Sequence, residues 1–525
     1  MPSLIIHGHF YQPPRENPWT GIVEEQPSAA PFHDWNERIH SECYLPNAFA
    51  VISDRDSGKP RTINNYTNIS FNFGPTLLSW IAATHPETYS RIIEADRESA
   101  AKHDGHGNAI AQAYGHAILP LCNQRDLRTQ IRWGMADFRR HFARDAEAMW
   151  LPETACNDEV MAALIDEGLR FVILAPHQAA RVRARDTTRN AAAEIDPGFP
   201  QWRDVSDQSI GTSVPYTYRH RDGSERSIAV FFYDGPTSRA IAFENLLTSS
   251  SRLIDRLSRS AGDKEMISVA TDGETYGHHF KFGDICLAHA LENEAPAAGL
   301  QITNYGEYLA AHPPALEVQI NNGPNGEGAS WSCPHGISRW IRDCSCQTGG
   351  QPDWNQEWRT PLRRALDFLR DENTTHFEAT RGKLFNDPWQ ARDDSIVMVL
   401  DPYHSREQFL FEHSGRRLSE DEQRRALTYL ELQRMLILMY TSCGWFFSDL
   451  AGIETIQVLS YAARAIDLME ELNLPSVGDR FLDILAAGIS NRSELGSGAD
   501  IYREIVEPFK PDHEGDPDRP QPLAK

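Results

Sequence analysis

Several things are scarce in this chain, and each scarcity narrows what it can be. No apolar run approaches the roughly 18 residues of a membrane span, so no membrane partner is expected. Basic residues are outnumbered: 51 Lys and Arg stand against 74 Asp and Glu, a formal charge of −23 that disfavours binding to nucleic acid. Cysteine is thin, eight residues in 525 and mostly scattered, which fits reduced thiols better than a disulfide framework. The amino-terminal stretch lacks the basic and sustained apolar regions of a secretory signal, because Leu4 to Ile6 is short and histidine follows at once. A cytoplasmic protein is the expectation. Gly-x-Ser-x-Gly, Gly-x-x-x-x-Gly-Lys and Gly-x-Gly-x-x-Gly are all missing, so serine hydrolase, nucleotide-binding and kinase readings find no support.

What is present is a length of 525 residues, more than one ordinary core needs, and a strong alternation of patterns. "SLIIHGHF", "RFVILA" from Arg170, "SIAVFFY" from Ser227 and "ISVATD" from Ile267 read as strands. Between them lie helical stretches, "QRDLRTQIRWGMADFRRHF" from Gln124 and "NDEVMAALIDEGL" from Asn157, the latter opening on N-cap chemistry. Strand then helix, repeated, predicts an α/β fold with a parallel sheet or barrel. The alternation closes near 301–314, and "NNGPNGEGAS" from Asn321 reads as a loop or boundary. Beyond it the pattern is mainly helical, with a capping box at Ser419 and Glu422 and a break at Gly444. The expected division is a catalytic domain at 1–312, a helical domain at 313–510 and a disordered tail at 511–525, rich in Pro and Asp.

The polar motifs fall where strands end, the place at which parallel α/β folds gather active residues. "HGH" follows "LII", putting His7 and His9 at the end of the first strand. "MWLPE" delivers Glu153 behind Trp150 and Pro152, and "ATDGETYGHH" ends a buried-looking strand with Asp272 and Glu274. Asp272 and Glu274 would share a face if the strand continued that far. Cleaving a glycosidic bond takes two carboxyl groups across it, with aromatic faces for the sugar. Glu153 and Asp272 fit that need; the plain alternative is that Glu153 caps a helix and Asp272 makes a turn with Gly273.

Taken together these motifs resemble family 57 of the glycoside hydrolases. His7, His9, Gln12 and Pro13 match its first region, with Phe10 and Tyr11 inserted; "AYGH" at His116 resembles its second; Trp150 and Glu153 its third; Asp272, Glu274, Gly277 and His278 its fourth. The resemblance implies a distorted (β/α)7 barrel followed by a mainly helical carboxy-terminal domain, the latter like a domain of unknown function attached to a subset of the family. It implies a retaining mechanism with Glu153 as nucleophile and Asp272 as general acid/base, acting on α-glycosidic bonds of an α-glucan or related oligo- or polysaccharide. His7, His9, Gln12, His116, Trp150, Glu274 and His278 would then bind substrate. Trp331 and Trp445, next to Ser or Gly in loop-like breaks, are added as sugar-stacking residues. Hydrolase, 4-α-glucanotransferase and branching enzyme are not separated, and no cofactor is assigned. Two alternatives stay open: a metal-dependent polysaccharide deacetylase with His7, His9 and Asp272 around a divalent ion, and a noncatalytic carbohydrate-binding protein. "CPHGISRWIRDCSC" offers soft ligands at Cys333, His335, Cys344 and Cys346, but its gaps are tighter than usual for zinc, so no metal is assigned either.

Overall fold

The computed structural model describes residues 1–53, 57–184 and 201–510. The tail expected to be disordered at 511–525 lies outside the described residues. Among the described residues no helix is long and apolar enough to cross a membrane. The chain forms two compact units: Met1–Gln12, Gln26–Ala113 and Asp137–Ser332 make the first; Pro13–Glu25, Tyr114–Ala136 and the chain from Cys333 onward make the second.

The first unit is organised around Ser3–Phe10, buried almost throughout because it has parallel neighbours on both sides. Seven parallel strands follow one another in chain order. Ser3–Phe10 pairs with Ser70–Phe73, and a bridge from Phe71 to Ala109 leads to Ala111–Gln112, which pairs with Met149–Trp150. A bridge from Ala148 to Phe171 leads to Phe171–Leu174, which pairs with Ser227–Phe232. The Asp234 N–H then donates to the Ser268 carbonyl at 2.7 Å, and Met266–Asp272 pairs back onto Ser3–Phe10. This is the expected seven-fold ring. Its distortion lies in the two-residue strands at 111–112 and 149–150 and in the links made by one bridge.

The strands and helices read from hydrophobic period form close to where they were expected. Asp158–Asp166 starts at Asn157, whose side chain accepts the Val160 N–H. Strands beyond the four read from the sequence were not foreseen; one of them, Leu316–Ile320, joins a second sheet between Tyr216–Arg219 and Ala179–Ala184. That pairing carries the first unit to Ser332, past the division expected at 312. The second unit is helical, with Arg359–Glu378, Glu420–Leu438 and Ile453–Glu471 its longest elements. The capping box forms as read, Ser419 accepting from the Glu422 N–H and Glu422 from the Ser419 N–H. Between Cys333 and Trp358 the only regular turn is a short 3-10 helix at Ser338–Trp340.

Candidate active site

Register builds the site. In the parallel ladder His9 stands beside Asp272 on one side and beside Asn72 on the other, so three strand ends place polar groups in one row. One step back, His7 stands between Ala270 and Ser70. Both histidines are buried, and burial drives each pKa down to about 3, in His7 with further help from His9. They are neutral at any ordinary pH.

Asn72 links the two rings. Its amide nitrogen donates to Gln112 at 2.7 Å, and His9 Nδ1 stands 3.0 Å from that nitrogen and 3.2 Å from the Asn72 carbonyl oxygen, so the amide holds His9 in either tautomer. Its carbonyl oxygen takes the His7 Nε2–H at 3.1 Å, and His7 Nδ1 accepts from the Ser70 hydroxyl at 3.0 Å. Both ring nitrogens of His7 are therefore committed inside the protein. Expected to bind substrate, His7 has neither ring nitrogen left to offer one. With both its nitrogens so occupied, His7 has no lone pair to present, which opposes a divalent ion held by His7, His9 and Asp272 together. Trp150, fully buried, stacks on His7 at 4.6 Å and His9 at 5.2 Å between ring centroids, so it supports the histidines from within and is not a sugar platform.

Glu153 sits on a turn in left-handed conformation, φ 57° and ψ 21°, followed by Thr154 at φ 48°. Neither is glycine, and each such position costs on the order of 1–2 kcal/mol. The surroundings hold it: Trp331 N–H donates to the Glu153 carbonyl at 3.0 Å, and Gln178 Nε2 donates to the Thr154 carbonyl at 2.7 Å. The turn does not cap a helix; it presents the carboxylate. Glu153 Oε2 accepts from Trp331 Nε1 at 3.1 Å and from the Ser332 hydroxyl at 2.5 Å, two donors suited to an anionic oxygen. Trp331 also packs edge-on to Trp150 at 5.1 Å and to His9 at 6.3 Å.

Asp272 ends its strand exposed to solvent, yet protein atoms crowd it. That desolvation and the charge of Glu153 together push its pKa from 3.8 to about 7. Gly273 is required next to it, since a Cβ there would meet the Phe10 ring at 2.3 Å. Glu274 differs from expectation. The strand stops at Asp272 and a 3-10 turn takes over, so the two acids do not share a strand face. Glu274 folds under instead, buried, where it accepts from the Tyr44 hydroxyl at 2.6 Å and the Tyr11 N–H at 3.1 Å. Burial, with Asp272 nearby, lifts its pKa to about 8.

The remaining expected residues scatter. Gln12 Nε2 donates to the Tyr11 carbonyl at 3.1 Å. His278 Nδ1 bonds to Glu42, two residues before Tyr44. His116 belongs to the second unit, buried and bonded through Nδ1 to the Ser442 hydroxyl at 2.7 Å. Trp445, also in the second unit, is fully buried, donates to the Arg359 carbonyl at 3.3 Å and lies 4.1 Å from the Arg363 guanidinium carbon. No sugar reaches it there. Gly444 marks close packing rather than a surface loop, since a Cβ at that position would lie 2.6 Å from Val458. Asn72, Ser332, Tyr44 and Tyr233, whose phenol feels the charge of Asp272, belong to the site and were not foreseen. Only Asn72 left a signal, as a polar residue between phenylalanines in "SFNF".

A ring of seven parallel strands with an ionisable carboxyl pair and neutral histidines at its strand ends defines a (β/α)7-barrel protein equipped for acid–base chemistry. Residues 7–321, more than half of the chain, match the profile of glycosyl hydrolase family 57, and the chain belongs to that family. It is accordingly a glycosyl hydrolase or transferase. Residues 354–515 match a domain of unknown function, DUF3536. Among solved structures the chain is similar to an exo-type maltose-forming amylase from Pyrococcus sp. ST04, with 14% identity over 92% of this chain and 82% of that one and a TM-score of 0.63. It is also similar to family 57 branching enzymes from Pyrococcus horikoshii (14% identity, 99% of both chains, TM-score 0.53) and Thermococcus kodakaraensis (15% identity, 99% of this chain and 98% of that one, TM-score 0.50). At these identities the likeness is one of fold. No curated protein sequence matches the chain significantly.

Proposed function

We propose that the chain is a retaining glycoside hydrolase or transglycosidase acting on α-glycosidic bonds of an α-glucan or related saccharide. The observation that carries this reading is the pair of carboxyls at the strand ends of one barrel: Glu153, presented on a left-handed turn and held by two donors, and Asp272, in register with His9, where the charge of Glu153 adds to desolvation in raising its pKa. Family membership and the fold shared with an amylase and branching enzymes support the substrate class.

In this reading Asp272 gives its proton to the glycosidic oxygen as a Glu153 carboxylate oxygen attacks the anomeric carbon, so the bond to the leaving sugar breaks and a glycosyl ester forms. Asp272, now ionised, takes a proton from water or from an acceptor hydroxyl, which attacks the anomeric carbon, breaks its bond to Glu153 and frees that carboxylate with net retention. His9, its ring held through Nδ1 by Asn72, is the residue assigned to a sugar hydroxyl; His7, Trp150 and Glu274 hold the reacting groups in place.

The test is product analysis on a panel of α-glucans, with a reducing-end assay beside a linkage assay. A rise in reducing ends means hydrolysis, and redistribution of linkages without a rise means transfer. Binding with no product over long incubation would leave a noncatalytic saccharide-binding protein and overturn the proposal.

A further inference from the structure

The cluster left open by its sequence spacing is closed by geometry. Cys333, His335, Cys344 and Cys346 bring one ligand atom each into a group whose members all lie within 4.8 Å of one another. Cys333 Sγ is 3.9 Å from both Cys344 Sγ and Cys346 Sγ, and Cys346 Sγ is 3.5 Å from His335 Nδ1. A tetrahedral zinc with Zn–S of about 2.3 Å and Zn–N of about 2.0–2.1 Å has edges of roughly 3.8 Å between sulfurs and roughly 3.5 Å between sulfur and nitrogen. Two thiols in chance contact would explain one such distance; four soft ligand atoms drawn toward one point need a common partner. We infer that Cys333, His335, Cys344 and Cys346 form a structural zinc site.

Two further observations agree. Arg359 is completely buried, and none of its guanidinium nitrogens has a hydrogen-bond partner among the described residues. A buried cation requires an opposing charge. The charges that act on it are the cation Arg339 and, with opposite sign, Asp343 and the cysteines of the cluster. Zinc on three thiolates and one neutral imidazole keeps one net negative charge and adds to the favourable side of that balance. The second observation is the segment itself. From Cys333 to Trp358 it has almost no regular structure, and Ser345, between two of the cysteines, is held in left-handed conformation at φ 62°. So long an irregular stretch is uncommon inside a compact unit, and a four-ligand metal supplies the order that hydrogen-bonded elements do not. All four ligands come from the protein, which leaves no open position for substrate or water and marks a structural site.

The test uses the full chain, purified under reducing conditions without chelator. Zinc by mass spectrometry should be about one equivalent, falling at least fivefold in Cys344→Ser and His335→Ala. Because either variant could fail to fold, the deciding readout is the unsubstituted chain loaded with Co(II): a thiolate-to-cobalt charge-transfer band together with the intense visible bands of a tetrahedral site. Less than a tenth of an equivalent of zinc with no such spectrum would overturn the inference. So would a disulfide within the cluster, found by intact mass of the untreated chain. Metal bound without the charge-transfer band would place it elsewhere, as at Glu37, His40 and His85, which hold no thiol, and would count against the proposal equally.

Discussion

The carboxyl cluster of the first unit and the thiol cluster of the second are built in opposite ways. Asp272, His9 and Asn72 are set by the register of parallel strands, where backbone hydrogen bonds place the side chains before any chemistry is asked of them. Cys333, His335, Cys344 and Cys346 stand on a stretch nearly free of regular structure. One cluster inherits its geometry from the scaffold, and the other supplies geometry to its surroundings. Removing a side chain from the first should therefore cost activity and spare the fold, whereas emptying the second should cost the fold.

The largest effect falls on the first cluster. Glu153→Gln keeps the shape and the hydrogen-bonded turn but removes the proposed nucleophile, and turnover should drop by about 10⁴-fold or more with the melting temperature little changed. Asp272→Asn should cost about 10²–10⁴-fold and abolish the alkaline limb of the pH profile. The sign follows from the acid role: the protonated form is active, so in the unsubstituted chain turnover falls as pH rises through about 7. Turnover without that limb, or full activity in either variant, would break the contrast from the catalytic side.

A chelator acts on the other cluster. Stripping the metal should remove several kcal/mol of stability and lower the melting temperature by roughly 10 °C or more. An unchanged melting temperature with metal shown to be gone would mean that the thiol segment holds itself in place and the contrast is void.

Smaller effects sharpen the account of the first cluster. Asn72→Leu removes the acceptor for His7 and the amide partner of His9 together, leaving two buried imidazoles short of partners, at a cost of about 1–3 kcal/mol. Turnover should fall about 10- to 100-fold. Glu274→Gln is the mildest. The folded Glu274, with its pKa raised to about 8, holds its proton where the unfolded chain, near 4.5, has lost it. Stability therefore declines between about pH 4.5 and 8 on its account, and the glutamine should flatten that decline in a series of denaturant titrations.

Much of this was readable in the sequence because it depends on local pattern. Apolar runs ending in "HGH" and "TDGE" mark strand ends, and strand ends collect the site. What stayed hidden depends on partners far along the chain. Ser332 meets Glu153 across 179 positions, and Tyr44 meets Glu274 across 230. Trp445 misled for a related reason: a glycine beside an aromatic reads as a loop, but Gly444 lets the chain press on Val458 and buries the indole. The spacing of the thiol motif was equally uninformative, because ligation depends on where four atoms converge and not on the gaps between them.

The claim on which the rest turns is that Glu153 forms a covalent bond to sugar. An activated fluoro-glycoside that forms the ester readily and loses it slowly should leave one glycosyl adduct per chain, located by peptide mass spectrometry on Glu153 and absent from Glu153→Gln. An adduct on another residue, or steady turnover of that substrate with inverted product and no adduct at all, would contradict it.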